Sequence, residues 1–331
     1  MASFDGLSLR DLGMPLWGLR RAAFNSLNEK IYNKLYTLKE TEACFCGGCE
    51  LERLSRFDRF GLPFGTLICR SCGLITIDKV LSDDDIPTFY NELYWPLITG
   101  ARTPLFETTQ EDYGDFLAYL APFVPDARVI MEIGCGSGHR LGQVRSTSAA
   151  SRCKYIGCDY SEKALELAAR RGVEVIHGGA RELSSRGKAD ILILSHVFEH
   201  FVDLDNALRD IGELIHRDSI VYIEVPGVID LENKREYGYD YQDYCVLAHI
   251  HNFSLATLTA VVGKTALKLV KGNEYVRAIF SMTAKATHRI AGNPYEDIMS
   301  ALERARARAK AHRSRPWRCI QTALAAVRGA L

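Results

Sequence analysis

The 331-residue chain has no net charge, since 41 Lys and Arg face 41 Asp and Glu. That balance argues against a protein whose main task is to bind a nucleic-acid backbone, which calls for a surplus of cations. There is no run of 18 apolar residues, so no helix is expected to span a membrane. The start, MASFDGLSLR, lacks a basic stretch followed by an apolar one, so no secretory signal is expected. Internal repeats and low-complexity tracts are missing before the tail. The cysteines lack the spacing of a small disulfide scaffold. Five of the ten crowd into residues 44–72, and Cys135, Cys153, Cys158, Cys245 and Cys319 are scattered. The expectation is a reducing, cytoplasmic compartment.

What is present is a globular composition, 47% apolar and 25% charged. The length suits about two domains. Residues 1–43 carry weak helical periodicity, with Leu16, Leu19, Ala23, Leu27, Ile31 and Leu35 on one face. Residues 44–80 hold the cysteines, and 81–125 form a connecting or lid segment with the aromatic stretch FYNELYWPL. From 126 to 285 apolar runs alternate with amphipathic ones. RVIMEIG, KYIGCDYS, VEVIHGG, ADILILS, SIVYIEVPG, LKLVKG and VRAIFSMTAK read as strands. SEKALELAARRGV, started by Ser161 and stopped by Gly172, reads as a helix, as do DLDNALRDIGELI and SLATLTAVVGKTA. The pattern predicts an α/β fold: a doubly wound, mostly parallel, Rossmann-like seven-stranded sheet. A small N-terminal zinc-binding module would precede it. Residues 286–331 would form a basic helical tail.

Gly134, Gly136 and Gly138 follow the first strand of the alternating region directly, in MEIGCGSGHR. A sharp strand-to-helix turn and a closely approaching ligand both favour residues without a Cβ. The helix beyond offers free N–H groups and a positive dipole end. Asp159 ends the second strand, about 20 residues on, where a ribose-binding acid is expected. The spacing is G-x-G-x-G rather than the dinucleotide G-x-G-x-x-G. Glu132, an inward acid just before the turn, suits a cofactor that carries positive charge.

VIMEIGCGSG, GCDYS and HVFEHFVDL together resemble three motifs of the class I S-adenosylmethionine-dependent methyltransferases, over residues 128 to 282. The resemblance implies that Gly134, Gly136 and Gly138 pass the methionine moiety of S-adenosylmethionine. Glu132 would face its charged end and Asp159 its ribose hydroxyls. Ser195 and His196 would wall the cofactor. Many relatives place an acid after the third strand to meet the adenine amino group. Here HGGARELS stands there, with Ala180 near that position, so backbone groups are expected to recognise adenine.

His196-Val197-Phe198-Glu199-His200 also spells H-x-x-E-H, the inverted zinc-peptidase signature. A peptidase needs both histidines on one face of a helix. Here the strand-to-helix break falls inside the motif, beyond the carboxyl end of a strand, where an open parallel sheet binds its ligands. We therefore read a methyl-transfer edge. His200 is the expected base, with Glu199 orienting it or the substrate. AHIHNFSLATL supplies His249 as a second substrate contact and Ser254 as a helix N-cap. With EYGYDYQDY ahead of it, this segment resembles sugar methyltransferases of surface-polysaccharide and antibiotic pathways. Tyr237, Tyr239 and Tyr241 either stack on a sugar or form a packed loop.

Cys46-x2-Cys49 and Cys69-x2-Cys72 are separated by 19 residues, a structural zinc spacing. Four thiolates leave tetrahedral zinc no open position. Cys44 is a fifth thiol that either replaces Cys46 or stands by. A zinc module ahead of such a domain, with DRFGLP between the cysteine pairs, is similar to certain sugar methyltransferases. In those the module helps close over the substrate, a role that Tyr90 and Tyr94 would play here. The larger sugar C-methyltransferases carry a further domain for which this chain has no room, so the expectation is O-methylation of a sugar or glycan. The alternatives are sugar C-methylation, RNA methylation and non-catalytic binding. Nucleic acid is not the expected partner. The stretch 285–331 has ten Lys or Arg against three acids, so it is either a docking helix or a peripheral contact with an anionic membrane.

Overall fold

The computed structural model describes residues 16–82, 84–101, 114–147, 152–283 and 293–313. Helix α1 (Gly18–Tyr32) buries Ala23 and Leu27, as their spacing predicts. It ends three residues before Leu35, which is exposed, because Lys34 turns the chain with a positive φ of 56°. Five short strands follow: β1 (Leu38–Glu40), β2 (Leu51–Ser55), β3 (Thr66–Cys69), β4 (Ile75–Ile77) and β5 (Lys79–Leu81). Next come α2 (Ile86–Phe89), a wide π-type turn over Tyr90–Tyr94, α3 (Trp95–Thr99) and α4 (Gly114–Leu120).

The alternating region then folds as its periodicity dictates. In order it holds β6 (Val129–Ile133), α5 (His139–Ser146), β7 (Lys154–Asp159), α6 (Glu162–Arg170), β8 (Glu174–His177), α7 (Ala180–Leu183), β9 (Ala189–Ser195), α8 (Leu204–Leu214) and β10 (Ile215–Glu224). The side chains of Ser161 and Asp203 accept from backbone N–H groups and start α6 and α8. After β10 come α9 (Tyr241–Tyr244), β11 (His251–Asn252), α10 (Leu255–Val262), β12 (Lys268–Gly272), β13 (Arg277–Ser281) and α11 (Pro294–Arg313). Ser254 caps α10 as expected. Among the described residues, no helix is long and apolar enough to cross a membrane.

Seven strands form one sheet in the order β12-β13-β10-β9-β6-β7-β8. β10, β9, β6, β7 and β8 run parallel, and β13 is antiparallel to both its neighbours. Alternation sorts the side chains to two faces. Ile191 and Ile193 join one core cluster with Leu141 and Ala168, while Leu192 and Leu194 join another with Leu208 and Ile211. Both faces are covered, which is why the inner strands read as unbroken apolar runs.

The strand order fixes the site. From β6 the chain goes to β7 and β8 on one side, then returns to β9 on the other. Ile133 is thus registered against Cys158 of β7 and Leu194 of β9. This reversal opens a crevice beyond the carboxyl ends of β6 and β9.

Two features cut across the segments read from the sequence. The cysteine segment is not self-contained. Its sheet has the order β11-β4-β3-β2, and His251 pairs with Thr76 and Asn252 with Ile75. The basic stretch is a docked helix as far as the structure describes it. α11 buries Ile298, Ala301, Leu302, Ala305 and Ala309, and Ile298, Leu302 and Ala305 join a cluster with Leu54, Ile75, Leu231 and Tyr244. Arg304 meets Glu232, Arg308 lies over the Tyr239 ring, and Arg313 meets Asp240. Residues 314–331 lie outside the described residues.

Candidate active site

The cofactor side of the crevice is one βαβ unit. Gly134, Gly136 and Gly138 all have positive φ, at 66°, 52° and 70°. At two of them packing also excludes a Cβ: one on Gly134 would strike Val197, and one on Gly138 would lie 2.8 Å from the Ala168 side chain. The Gly136 N–H donates to Asp159 Oδ2 at 2.9 Å, and Ser161 N–H donates to Oδ1 at 2.8 Å. Burial lifts the Asp159 carboxyl despite these bonds. Glu132 is 2% exposed and its Oε2 has no hydrogen-bond partner among the described residues. Burial pushes its carboxyl up to about 8, against a lowering by Arg140. Ala180 is buried where α7 begins.

These residues fit S-adenosylmethionine. A turn with glycine at three of its five positions, an acid at the end of β7 and a buried carboxyl group match its backbone approach, ribose and cationic end. An apolar wall at Ala180 suits adenine.

Across the crevice, β9 ends in Ser195 and His196. The Ser195 hydroxyl donates to Glu224 Oε2 at 3.0 Å, so it is held by the protein itself. His196 sits at φ 55°, a left-handed conformation uncommon for a residue with a Cβ. Its N–H donates to the Glu224 carbonyl at 2.8 Å. Glu224 also accepts from Arg277 Nε at 2.8 Å and the Tyr222 hydroxyl at 3.0 Å. Burial alone would raise Glu224, but His196, Arg277 and Arg140 hold it below its usual range.

Phe198–His200 is a single 3-10 turn. It aims Glu199 inward, 1% exposed, with neither carboxylate oxygen hydrogen-bonded among the described residues. His196 Nδ1 stands 3.6 Å and His200 Nε2 3.8 Å from Glu199 Oε1. Ligand atoms of Glu199, His200 and His249 all lie within 4.8 Å of one another. His200 Nδ1 donates to the Ala248 carbonyl at 2.7 Å, which turns Nε2 toward Glu199. Burial and the neighbouring His200 drive His249 down to about 3, so its ring is neutral.

The sequence separates these groups widely, and the fold joins them. The Tyr90 hydroxyl lies 3.1 Å from His200 Nδ1, and the Tyr94 ring centre is 6.2 Å from that of His200. Both tyrosines thus reach the histidines, as a closing segment must. DRFGLP acts as a clamp: Asp58 Oδ1 accepts from the N–H groups of Phe60 and Leu62, and Oδ2 from Leu247 N–H. Tyr239 and Tyr241 take the packed-loop arrangement. Tyr239 lies under Arg308, and the Tyr241 hydroxyl donates to Thr66 Oγ1 at 3.0 Å.

Arg59 went unnoticed in the sequence. Its residue is 8% exposed, and its guanidinium Nε has no hydrogen-bond partner among the described residues. Its charge acts on Tyr94, Tyr237 and His249. Sequence periodicity carries no signal for it, because its loop reaches the crevice only through the clamp to residues 245–247.

The cysteines need a correction. The four thiols that converge are Cys44, Cys46, Cys69 and Cys72. Cys49, expected as a ligand with Cys46, Cys69 and Cys72, is exposed, and its Sγ faces the Gly47 carbonyl at 3.8 Å. The reason is local. The chain turns at 44–47, where Gly47 N–H donates to Cys44 O at 2.8 Å and Gly47 has φ 86°. That turn folds Cys44 and Cys46 to one side and leaves Cys49 at the outer lead into β2. Cys44 Sγ lies 3.5 Å from Cys72 Sγ, and Cys46 Sγ 3.6 Å from Cys69 Sγ. Four sulfur donors suit a closed, tetrahedral zinc site.

Residues 105–271 match the family described as a methyltransferase domain. C-methyltransferase NovU of Streptomyces niveus is 22% identical over 250 residues, 69% of this chain and 53% of that protein. A tRNA (carboxymethyluridine(34)-5-O)-methyltransferase of Arabidopsis thaliana is 29% identical over 119 residues, 36% of this chain and 28% of that protein. The chain thus spans about half, or less, of the curated relatives it matches. Among solved structures, the plantazolicin methyltransferase BpumL with a desmethylPZN analog and SAH aligns with TM-score 0.42 and 15% identity, over 60% of this chain and 81% of that one.

Proposed function

This chain belongs to the methyltransferase-domain family, and from that premise we propose that it moves a methyl group from S-adenosylmethionine to a hydroxyl of a sugar or glycan. The observation that carries this reading is the meeting, at one strand-order reversal, of the glycine turn and the Glu199–His200–His249 group. The cofactor, when bound, supplies an electrophilic methyl group on a sulfonium sulfur. The chain's residues do the rest. The glycine turn admits the cofactor's methionine end, Glu132 balances its positive charge, and Asp159 accepts from its ribose. In-line displacement needs the acceptor oxygen aligned behind the methyl carbon. Glu199, His200 and His249 stand on the acceptor's side and remove its proton. Tyr90 and Tyr94 cover it, and Arg59 faces the same side.

We assign zinc to Cys44, Cys46, Cys69 and Cys72 as a structural ion. It ties the turn at Cys44–Cys46 to the β3–β4 hairpin.

Calorimetric titration with S-adenosylhomocysteine tests the premise of methyl transfer, with Asp159→Ala beside it. Micromolar binding that the variant loses supports the reading; no binding by well-folded protein sinks it. Transfer of labelled methyl to nucleotide sugars and glycans then identifies the acceptor. Product linkage separates oxygen from carbon methylation. Salt-dependent RNA retention on filters, with no sugar product, would favour the RNA reading instead.

A further inference from the structure

We propose that Glu199, His200 and His249 bind a divalent first-row transition-metal cation, which holds and acidifies the acceptor oxygen. The inference rests on the acceptor-site reading above and alters how the group works: His200 becomes a ligand, and the cation lowers the hydroxyl's pKa.

Four observations carry it. Glu199 is a carboxylate 1% exposed with neither oxygen hydrogen-bonded among the described residues. Its ion-pair contacts, His196 at 3.6 Å and His200 at 3.8 Å, are too long for hydrogen bonds, so a cation set between these groups would complete its shell. Next, His200 Nε2 faces Glu199 Oε1 at 3.8 Å. That is too long for a hydrogen bond, yet an ion can fill the gap. Ligand atoms bound to one cation at about 2.1 Å sit about 3.0–3.4 Å apart. The observed span, within 4.8 Å, needs side-chain adjustment of about an ångström. Third, His200 Nδ1–H is fixed on the Ala248 carbonyl at 2.7 Å with Tyr90 beside it. A metal-bound histidine is oriented in this way. Fourth, the donor set is two imidazoles and one carboxylate. This suits zinc, iron, cobalt or nickel rather than magnesium or calcium, and leaves positions open for substrate. Glu199 and His249 come from segments that meet only through β9 and the turn before β11, so the arrangement is not a helix-face peptidase motif.

The chemistry balances. The acceptor hydroxyl oxygen binds the cation, its O–H bond breaks, and the proton passes to water. The oxygen lone pair then forms the O–CH3 bond as the S–CH3 bond breaks, leaving S-adenosylhomocysteine.

The test is cobalt titration of the full-length, zinc-loaded protein saturated with S-adenosylhomocysteine, followed by calorimetry and visible absorption. One cobalt equivalent beyond the zinc is expected, with ligand-field bands and no thiolate-to-cobalt band. Glu199→Gln and His249→Gln should each weaken cobalt binding at least tenfold while S-adenosylhomocysteine affinity stays within threefold. Absence of a second ion, or an ion insensitive to both variants, overturns the proposal. If Glu199→Gln does not fold, His249→Gln at its half-buried position decides alone. The two readings fail separately. Methyl transfer by protein that binds no second ion leaves the enzyme and removes the cation. An ion bound by protein without cofactor affinity does the reverse.

Discussion

Two buried glutamates flank the reversal between β6 and β9, and their charge states differ. Glu132 is 2% and Glu199 1% exposed, so water is equally absent from both. Burial lifts Glu132 to about 8, with Arg140 opposing. The same burial acts on Glu199, but His200 and His196 outweigh it and hold the carboxyl at about 2. Burial alone therefore does not set the charge; the neighbours do. Glu132 has its compensating cation yet to come, from a ligand. Glu199 is built as an anion among histidines. Under the proposed function, one acid serves a cationic cofactor and the other the acceptor's activation.

Glu199→Gln is the change expected to break this division most visibly. It keeps the shape and removes the charge, so methyl transfer should fall about 100- to 10,000-fold. Titration should find S-adenosylhomocysteine affinity nearly unchanged. A variant within tenfold of normal turnover would remove Glu199 from the chemistry.

Glu132→Gln should show the opposite split. Losing a charged partner for the cofactor should cut affinity for S-adenosylmethionine by about 10- to 100-fold, with turnover at saturation much less affected. Equal losses in both parameters would mean that the two acids do not divide the work.

pH sharpens the comparison next. The ligand-free protein carries Glu132 protonated below about 8, and a cationic ligand favours the ionised form. Cofactor affinity should thus rise with pH, by up to about tenfold per unit, and level off above about 8. The folded value lies above the unfolded one of about 4.3. The folded state therefore binds the extra proton, and ligand-free stability should fall as pH rises between those values. Urea melts of Glu132→Gln should lack that fall. A normal protein with flat affinity from pH 6 to 9 would refute the assignment.

The smallest effect should be that of Cys49→Ser. The same principle applies to thiols: position among partners, not residue type, gives the role. This variant should keep one zinc and stay within about 0.5 kcal/mol of normal stability. Cys44→Ser should lose the ion on elemental analysis. Zinc retained by Cys44→Ser and lost by Cys49→Ser would restore the spacing-based assignment.

The Rossmann-like sheet and the cofactor side were legible in the sequence because they are local. Glu132, Gly134, Gly136, Gly138 and Asp159 sit in one βαβ unit, where apolar period and glycine position fix strand, turn and acid together. The aliphatic runs of β6, β9 and β10 fixed the sheet's strands for the same reason. Tertiary structure decided the acceptor side. Tyr90, Glu199 with His200, and Ala248 with His249 are brought together by the return to β9 and by β11 pairing with β4. It also chose Cys44 over Cys49, through a turn at Gly47 that spacing does not reveal, and placed Arg59 by a clamp on a distant loop. The hydrogen bonds of a helix and the alternation of a strand are written within a few residues. Contacts between residues such as Asp58 and Leu247, 189 positions apart, depend on packing, which no short window of sequence contains.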